Sequence, residues 1–331
     1  RRQESLRLVQ CPASVQVQEI KAMQGIARPC PEPILNALRS KDMEVCMIGE
    51  STHDANGNTH ERARREAYFV LGNKHLEENR DYELEAYVYA HPKSQQAVFL
   101  VTSYKPLANA FEGYHVDATA IDKLSVFQPS PGQDSYDKIM EVCEDLAESV
   151  TLIKGRPDLH AAYRCVFHSV LQFNLGGEFV KRGWLEALVV GDTRCGKSKA
   201  YQLMSEHYAV GTLVDCKMQT IAGILGSVQQ APSGEFYALA GLLPQNDGGI
   251  VCFDEFAARN RGGDFVGALS STRAEGVVRI NKAASGEFKA RVRSIWLANP
   301  GLGELMAELP DMGCELVPRV ILQPEDLARF D

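Results

Sequence analysis

Residues 188–198 read LVVGDTRCGKS. Leu188, Val189 and Val190 read as the end of a buried strand; Gly191 follows, then four residues, then Gly196-Lys197-Ser198, which satisfies the phosphate-loop spacing G-x-x-x-x-G-K-[ST]. The spacing answers a physical need. A loop between strand and helix must turn sharply enough for its N–H groups to converge on a diphosphate, and a side chain at Gly191 or Gly196 would obstruct that approach. Lys197 brings positive charge to the β- and γ-phosphates, and the Ser198 hydroxyl offers a ligand to Mg²⁺ at the start of a helix expected over 199–207. The candidate nucleotide contacts are Gly191, Asp192, Thr193, Arg194, Cys195, Gly196, Lys197 and Ser198. The unit implies an α/β core with a parallel sheet.

Two further apolar strands support that core. Ile250-Val251-Cys252-Phe253 follows Gly248-Gly249 and ends in Asp254-Glu255, as the second motif of a nucleoside triphosphatase requires. In that role Asp254 serves the metal and Glu255 polarises the attacking water. The other strand, residues 294–298, ends in Asn299-Pro300. Asn299 reads either as an amide that orients water or the γ-phosphate at the ligand-binding edge of the sheet, or as a turn residue before proline.

The chain has 331 residues, room for two domains, and carries a net charge of −8. It is not basic overall, so contact with nucleic acid must come from local basic patches. No apolar run approaches the roughly 20 residues of a bilayer span, and no membrane partner is expected. Nine cysteines, none in a C-x-x-C pair, favour reduced thiols over disulfides or a zinc site. Cys195 reads either as a redox-sensitive thiol or as a small residue tolerated in the loop. The chain starts without Met and stops at Asp331 inside a motif, as an excerpt of a longer protein would.

Upstream, short alternating segments at 15–20, 43–49, 67–71, 82–89 and 96–101 suggest a small antiparallel barrel of the OB type over residues 1–112. Asn56-Gly57 marks a hairpin bearing His53, His60, Arg62, Arg64 and Arg65, which reads equally as a DNA-touching finger or as a solvated charged loop. Residues 113–134 read as a linker, with helices expected over 135–150 and 159–175 and Gly176-Gly177 stopping the second. The stretch 273–293 carries Arg273, Arg279, Lys282, Lys289, Arg291 and Arg293 against Glu275 and Glu287. It reads as a basic hairpin with its tip at Ala284-Ser285-Gly286 and Lys282 beside it.

Together these residues resemble the MCM (minichromosome maintenance) branch of the AAA+ ATPases. Residues 191–198 resemble its Walker A motif, with Thr193-Arg194-Cys195 departing from the usual middle. Residues 248–256, GGIVCFDEF, resemble Walker B, and Asn299 in LANP resembles sensor 1. Residues 220–223 and 234–241 are similar to the helix-2 insertion. Residues 278–283 are similar to the pre-sensor 1 hairpin, which implies Lys282 facing DNA in a central channel. Residues 327–331, LARFD, resemble the arginine-finger motif, which implies Arg329 acting on a neighbour's nucleotide. Segments VQVQEI, EVCMIG, FVLGNKHLEE and HPKSQQAVFLV are similar to the family's OB domain, which favours DNA as the target of Arg62, Arg64 and Arg65. Ser270 stands where the family has a histidine, zinc-ribbon pairs are absent, and the lid is expected beyond Asp331.

The resemblance implies an N-terminal OB-fold barrel (1–112), a linker (113–134) and an AAA+ core (135–331). It implies ATP and Mg²⁺ as ligands, with Glu255, Lys197, Asn299 and Arg329 catalytic and Ser198 and Asp254 serving the metal. The function implied is an ATP-dependent DNA helicase working as a homo-oligomeric, hexameric ring on single-stranded or forked DNA, cytoplasmic in a prokaryote or virus and nuclear in a eukaryote. Competing readings are an AAA+ protein remodeller, whose nearest aromatic pore residues are Phe236-Tyr237, and a non-motor clamp that binds ATP and DNA.

Overall fold

The computed structural model describes residues 43–49, 65–70, 76, 82–90, 97–107, 117–230, 236–260, 264–300, 305–309 and 313–331. The chain divides into two compact units, Arg1–His115 with Gln230–Glu235, and Val116–Gln229 with Phe236–Asp331. The strand expected at 15–20 and the Asn56-Gly57 hairpin, with Arg62 and Arg64, lie outside the described residues, whereas Arg65 opens a strand.

In the first unit, β1 (Met43–Ile48), β2 (Arg65–Val70), β3 (Tyr82–Ala90) and β4 (Ala97–Pro106) form a sheet in the order β1-β2-β4-β3. Alternation places Ala67, Phe69 and Val101 in a small core. The expectation of an all-antiparallel arrangement is corrected at one pairing, because β2 and β4 run parallel, Ala67 opposite Phe99. Among the described residues β1 and β3 are the sheet's edges.

The second unit begins inside the segment read as linker. There Asp117 caps helix α1 (Ala118–Leu124) by accepting from the Ala120 N–H at 2.7 Å. None of its residues is buried, so it packs as a surface segment. Helix α2 (Ser135–Leu146) continues as a π-turn over Ala147–Thr151 and ends at Leu152 in the left-handed region. Helix α3 (Pro157–His168) is shorter than expected. Ser169 leaves the helix, donating its hydroxyl to Val166 O and accepting the Leu185 N–H, which turns the chain toward the sheet. Val170 and Phe173 are therefore exposed, not a continuation of the buried face. Gly176-Gly177 stops no helix; with φ of +60° and +92° it makes the turn between β5 (Phe173–Leu175) and β6 (Glu178–Val180).

The centre is a parallel sheet, in which β7 (Glu186–Val190), β14 (Arg293–Ala298), β11 (Ile250–Asp254) and β8 (Thr212–Asp215) lie in that order. Although β11 and β14 are apolar throughout, the pleat sorts their side chains. Val251, Phe253, Trp296 and Ala298 face one core; Ile250, Cys252, Ile295 and Leu297 face the other. The second core is closed by α3 and α4 (Lys197–Tyr208) through Leu159, Tyr163, Val166, Ala200, Tyr201 and Met204. The first is closed by Ile224 of α5 (Ile221–Leu225), Leu243 of α6 (Leu242–Gln245), Phe256 of α7 (Phe256–Arg259) and Phe265 and Leu269 of α8 (Asp264–Glu275). The result is a three-layer α/β core, a parallel sheet with a helical layer on each face. Trp296, fully buried, sits among Phe253, Phe256, Phe265 and Phe330 at centroid distances of 4.3 to 6.3 Å. Full burial of each such side chain contributes about 1.5–3 kcal/mol, so the strand ends that carry the motifs are set on a rigid layer.

Two hairpins complete the unit. One, β9 (Gly226–Gln230) and β10 (Phe236–Ala240), follows α5; the other, β12 (Val277–Asn281) and β13 (Ser285–Lys289), follows α8, and β10 touches β13.

Candidate nucleotide site and basic hairpin

The strand order places the three motifs side by side. β7 and β14 are adjacent and in parallel register to Val190 opposite Ala298, so Gly191 and Asn299 leave the sheet together, and the Gly191 N–H donates to Ala298 O at 3.1 Å. β11, the next strand, delivers Asp254 and Glu255 to the same edge. This is where open α/β sheets bind ligands.

Within the loop, Gly196 has φ +90°, a conformation only glycine adopts without strain, and it is the residue from which α4 begins. A Cβ at Gly191 would meet Cys195 Sγ at 3.4 Å and Lys197 Nζ at 3.7 Å, filling the concavity of the loop. Lys197 is 7% exposed. Its ammonium donates to Gly191 O (2.7 Å), Asp192 O (2.6 Å) and Asn299 Oδ1 (3.0 Å), with Cys195 Sγ at 3.4 Å. A buried tyrosine, Tyr163, donates its hydroxyl to Lys197 O at 3.0 Å and braces the first turn of α4 from below. Ser198 is half-buried beside it, and Thr193 and Arg194 are exposed. Asp192 differs from its loop neighbours: both carboxylate oxygens accept the Met306 N–H at 3.1 Å, so this side chain ties the loop to the segment after Asn299.

At β11, Asp254 Oδ1 accepts the Glu255 N–H at 2.9 Å. Glu255 has φ +52°, a left-handed backbone that costs a non-glycine residue on the order of 1 kcal/mol. Its carboxylate pairs with Lys217, from the short turn Cys216–Met218 that follows β8. That pair holds the Lys217 ammonium above its usual range. Residues present thus fit a magnesium nucleotide: a side-chain-free concavity at Gly191, a fixed ammonium, a helix N-terminus, and two carboxylates on the neighbouring strand. Ser198 and Asp254 are the groups that would hold the metal.

Arg329 makes no hydrogen bond or ion pair with Lys197, Asp254, Glu255 or Asn299 among the described residues. It follows α9 (Pro324–Leu327), donating to Glu325 O at 3.2 Å, while its own carbonyl accepts from Arg182 at 3.2 Å.

The hairpin at β12 and β13 corrects the sequence reading twice. Its turn is Lys282-Ala283-Ala284, so Lys282 stands on the tip itself and Ser285 and Gly286 belong to β13. The basic excess is also smaller than the residue tally suggests. Arg279 pairs with Glu275 and Glu287, and Arg291 binds Asp247 in a fork at 2.7 and 3.1 Å. Arg293 donates to Ser169 O and Gly248 O, and Arg273 is buried against Glu186. Lys282 and Lys289 remain the exposed cations, with no ion pair among the described residues.

Sequence reading gave no site role to Tyr163, Lys217, Arg182 or Ile153, the last with its side chain 3.2 Å from where a Gly196 Cβ would be, and it read Arg273 only as part of the basic stretch. Each acts across 34 residues or more in the chain or through a shape contact, and no local pattern marks it.

The family model described as the MCM P-loop domain matches residues 133–331. The chain belongs to the MCM family. Among the relatives of this MCM chain, the DNA replication licensing factor MCM5 of Arabidopsis thaliana is 27% identical over 200 residues, 60% of this chain and 26% of that protein. MCM5 of Dictyostelium discoideum is 25% identical over 209 residues, 61% of this chain and 26% of that protein. The minichromosome maintenance protein MCM of Saccharolobus solfataricus is 32% identical over 152 residues, 45% of this chain and 21% of that protein. The MCM chain described here therefore aligns with about a quarter of the length of these curated relatives. No helix among its described residues is long and apolar enough to cross a membrane.

Proposed function

We propose that this chain is the motor part of an ATP-driven DNA translocase, a helicase of the MCM type that works as a ring, a hexamer of copies of itself. The observation that carries this reading is the 3.0 Å hydrogen bond from Lys197 Nζ to Asn299 Oδ1, which joins residues 102 apart at the edge that also bears Asp254 and Glu255. A phosphate loop, an acidic pair and a polar amide on three successive strand ends make a site for triphosphate hydrolysis.

Lys197 and the N–H groups of residues 191–198 bind the β- and γ-phosphates of ATP. Glu255 accepts a proton from the attacking water, and Asn299 holds that water or the γ-phosphate in line. Magnesium, when bound by Ser198 and Asp254, neutralises phosphate charge. Arg329 of an adjacent subunit meets the charge that develops on the γ-phosphate, an effect that supplies about 10³ to 10⁵ in rate where such arginines operate. Lys282 grips a DNA phosphate as a point charge without reading the base, which suits a motor that must pass any sequence. The first unit, read as an OB-fold, binds DNA through Arg62, Arg64 and Arg65.

The names of the relatives, licensing factors of DNA replication and a minichromosome maintenance protein, support DNA as the polymer. ATPase activity measured with and without single-stranded DNA, alongside displacement of a forked duplex, tests the reading. Stimulated hydrolysis with strand displacement is expected. Hydrolysis indifferent to DNA would contradict it.

A further inference from the structure

Glu186, the first residue of β7, and Arg273, in the last turn of α8, are 1% and 6% exposed, and Arg273 Nε donates to Glu186 Oε2 at 2.6 Å. A guanidinium has five N–H donors, yet both terminal nitrogens of Arg273 are buried without a hydrogen-bond partner. Its plane is met by aromatic faces instead. The guanidinium carbon lies 4.3 Å from the ring centroid of Phe330 and 5.0 Å from that of Trp296. Desolvation strengthens such cation–π contacts.

Phe330 follows Arg329. On its other side Asp331 is bridged to Glu186 twice: the Asp331 N–H donates to Glu186 O at 3.1 Å, and Asp331 Oδ2 accepts the Glu186 N–H at 3.0 Å. Arg182 closes the clamp by donating to Arg329 O and to Asp331 Oδ2. One buried cation therefore contacts the strand that enters the phosphate loop, the strand that ends at Asn299, and the ring beside Arg329. It also sits three residues before Gly276, where α8 gives way to the Lys282 hairpin.

We propose that Arg273 is a positioning residue for hydrolysis at the interface between subunits: through the face of Phe330 it sets the reach of Arg329, and it links that setting to the Asn299 strand and to the base of the Lys282 hairpin. The proposal rests on Arg329 acting across the interface, as read under Proposed function. The alternative is a buried ion pair with a structural role only.

The two are separated by removing the pair without leaving a charge behind. Loss of Arg273 alone leaves the buried Glu186 carboxylate with only the longer 3.7 Å ion pair to Arg182, whereas Glu186→Gln with Arg273→Met replaces both charges at similar volume and is compatible with the fold, Arg182 keeping its bonds to Arg329 O and Asp331. Steady-state ATPase of the assembled full chain and thermal melting are measured for this double variant, for Phe330→Leu, which keeps the ion pair and removes the ring face, and for Arg329→Ala. Expected are a kcat reduced about tenfold with unchanged KM for ATP in both the double variant and Phe330→Leu, and a larger loss in Arg329→Ala. Parent-like kcat in Phe330→Leu or in a folded double variant, beside a collapsed Arg329→Ala, would overturn the role of Arg273 while leaving the finger intact. Parent-like kcat in Arg329→Ala would overturn the finger reading and this proposal with it. Should the double variant fail to fold, Phe330→Leu decides alone.

Discussion

Lys217 forms an ion pair with Glu255, so the carboxylate read as the water-activating base is held by a cation from the end of the neighbouring strand. The pair is solvent-facing, with side chains about half and a third exposed, and contacts of that kind are weak. Lys217→Ala should accordingly raise DNA-independent ATPase by only about threefold at unchanged KM. Glu255→Gln should retain ATP in an equilibrium binding assay while losing hydrolysis. An inactive Lys217→Ala protein would mean that the lysine serves the reaction directly.

Arg329 contacts only Glu325 and Arg182 of its own chain by hydrogen bonds among the described residues. Arg329→Ala and Lys197→Ala proteins, each expected to be nearly inactive, should regain ATPase when mixed, because some interfaces then join an intact Lys197 to an intact Arg329. Absence of recovery at every ratio, in particles shown to contain both chains, would place Arg329 outside the reaction.

Burial sorts the thiols. Cys216 is fully buried and its thiol is pushed up to about 12, chiefly by desolvation, and Cys252 is raised as well for the same reason. Cys165 and Cys314 are exposed, and Cys195 is half-buried beside the Lys197 ammonium. Alkylation of the folded protein near pH 8 should label Cys165 and Cys314 and spare Cys216 and Cys252. ATP should slow labelling of Cys195; a rate unaffected by saturating nucleotide would argue that the loop does not enclose phosphate.

Much of the core is legible in the sequence because its signals are local. The run into Gly191, the apolar strand before Asp254-Glu255 and the strand before Asn299 each carry their pattern within a dozen residues. The failures share the opposite cause. Val170 and Phe173 continue a helical spacing, and only the Ser169 hydroxyl bonds to Val166 and Leu185 reveal that the helix has ended. Arg279 and Arg291 look like a DNA-facing patch until Glu275, Glu287 and Asp247 are folded against them. The parallel pairing of β2 with β4 is a choice of partner that alternation does not encode.

His168 stacks edge-on against Tyr208 at 5.3 Å, and its pKa is lowered from the usual 6.5 by burial, with Arg164 and Arg293 adding to the effect. The fold favours the neutral ring, so the unfolded chain takes up the proton first as pH falls. The resulting stability is present above about pH 6.5 and is lost as pH drops through the lower folded value. Melting temperature should fall less between pH 7 and pH 5 for His168→Gln than for the parent; parallel slopes would remove His168 as the cause.

In the proposed mechanism, hydrolysis at the Lys197–Asn299 edge is converted into movement of DNA by the Lys282 hairpin. Lys282 is exposed on the tip and makes no hydrogen bond or ion pair with Lys197, Asp254, Glu255 or Asn299 among the described residues, so its loss should uncouple the two activities. The decisive measurement is strand displacement of forked DNA by Lys282→Ala, run beside its ATPase and its DNA affinity across salt. Coupling through Lys282 predicts near-parent basal ATPase, displacement abolished, and a salt dependence of binding shallower by about one counterion per lysine engaged. Parent-like displacement by the Lys282→Ala protein would contradict it.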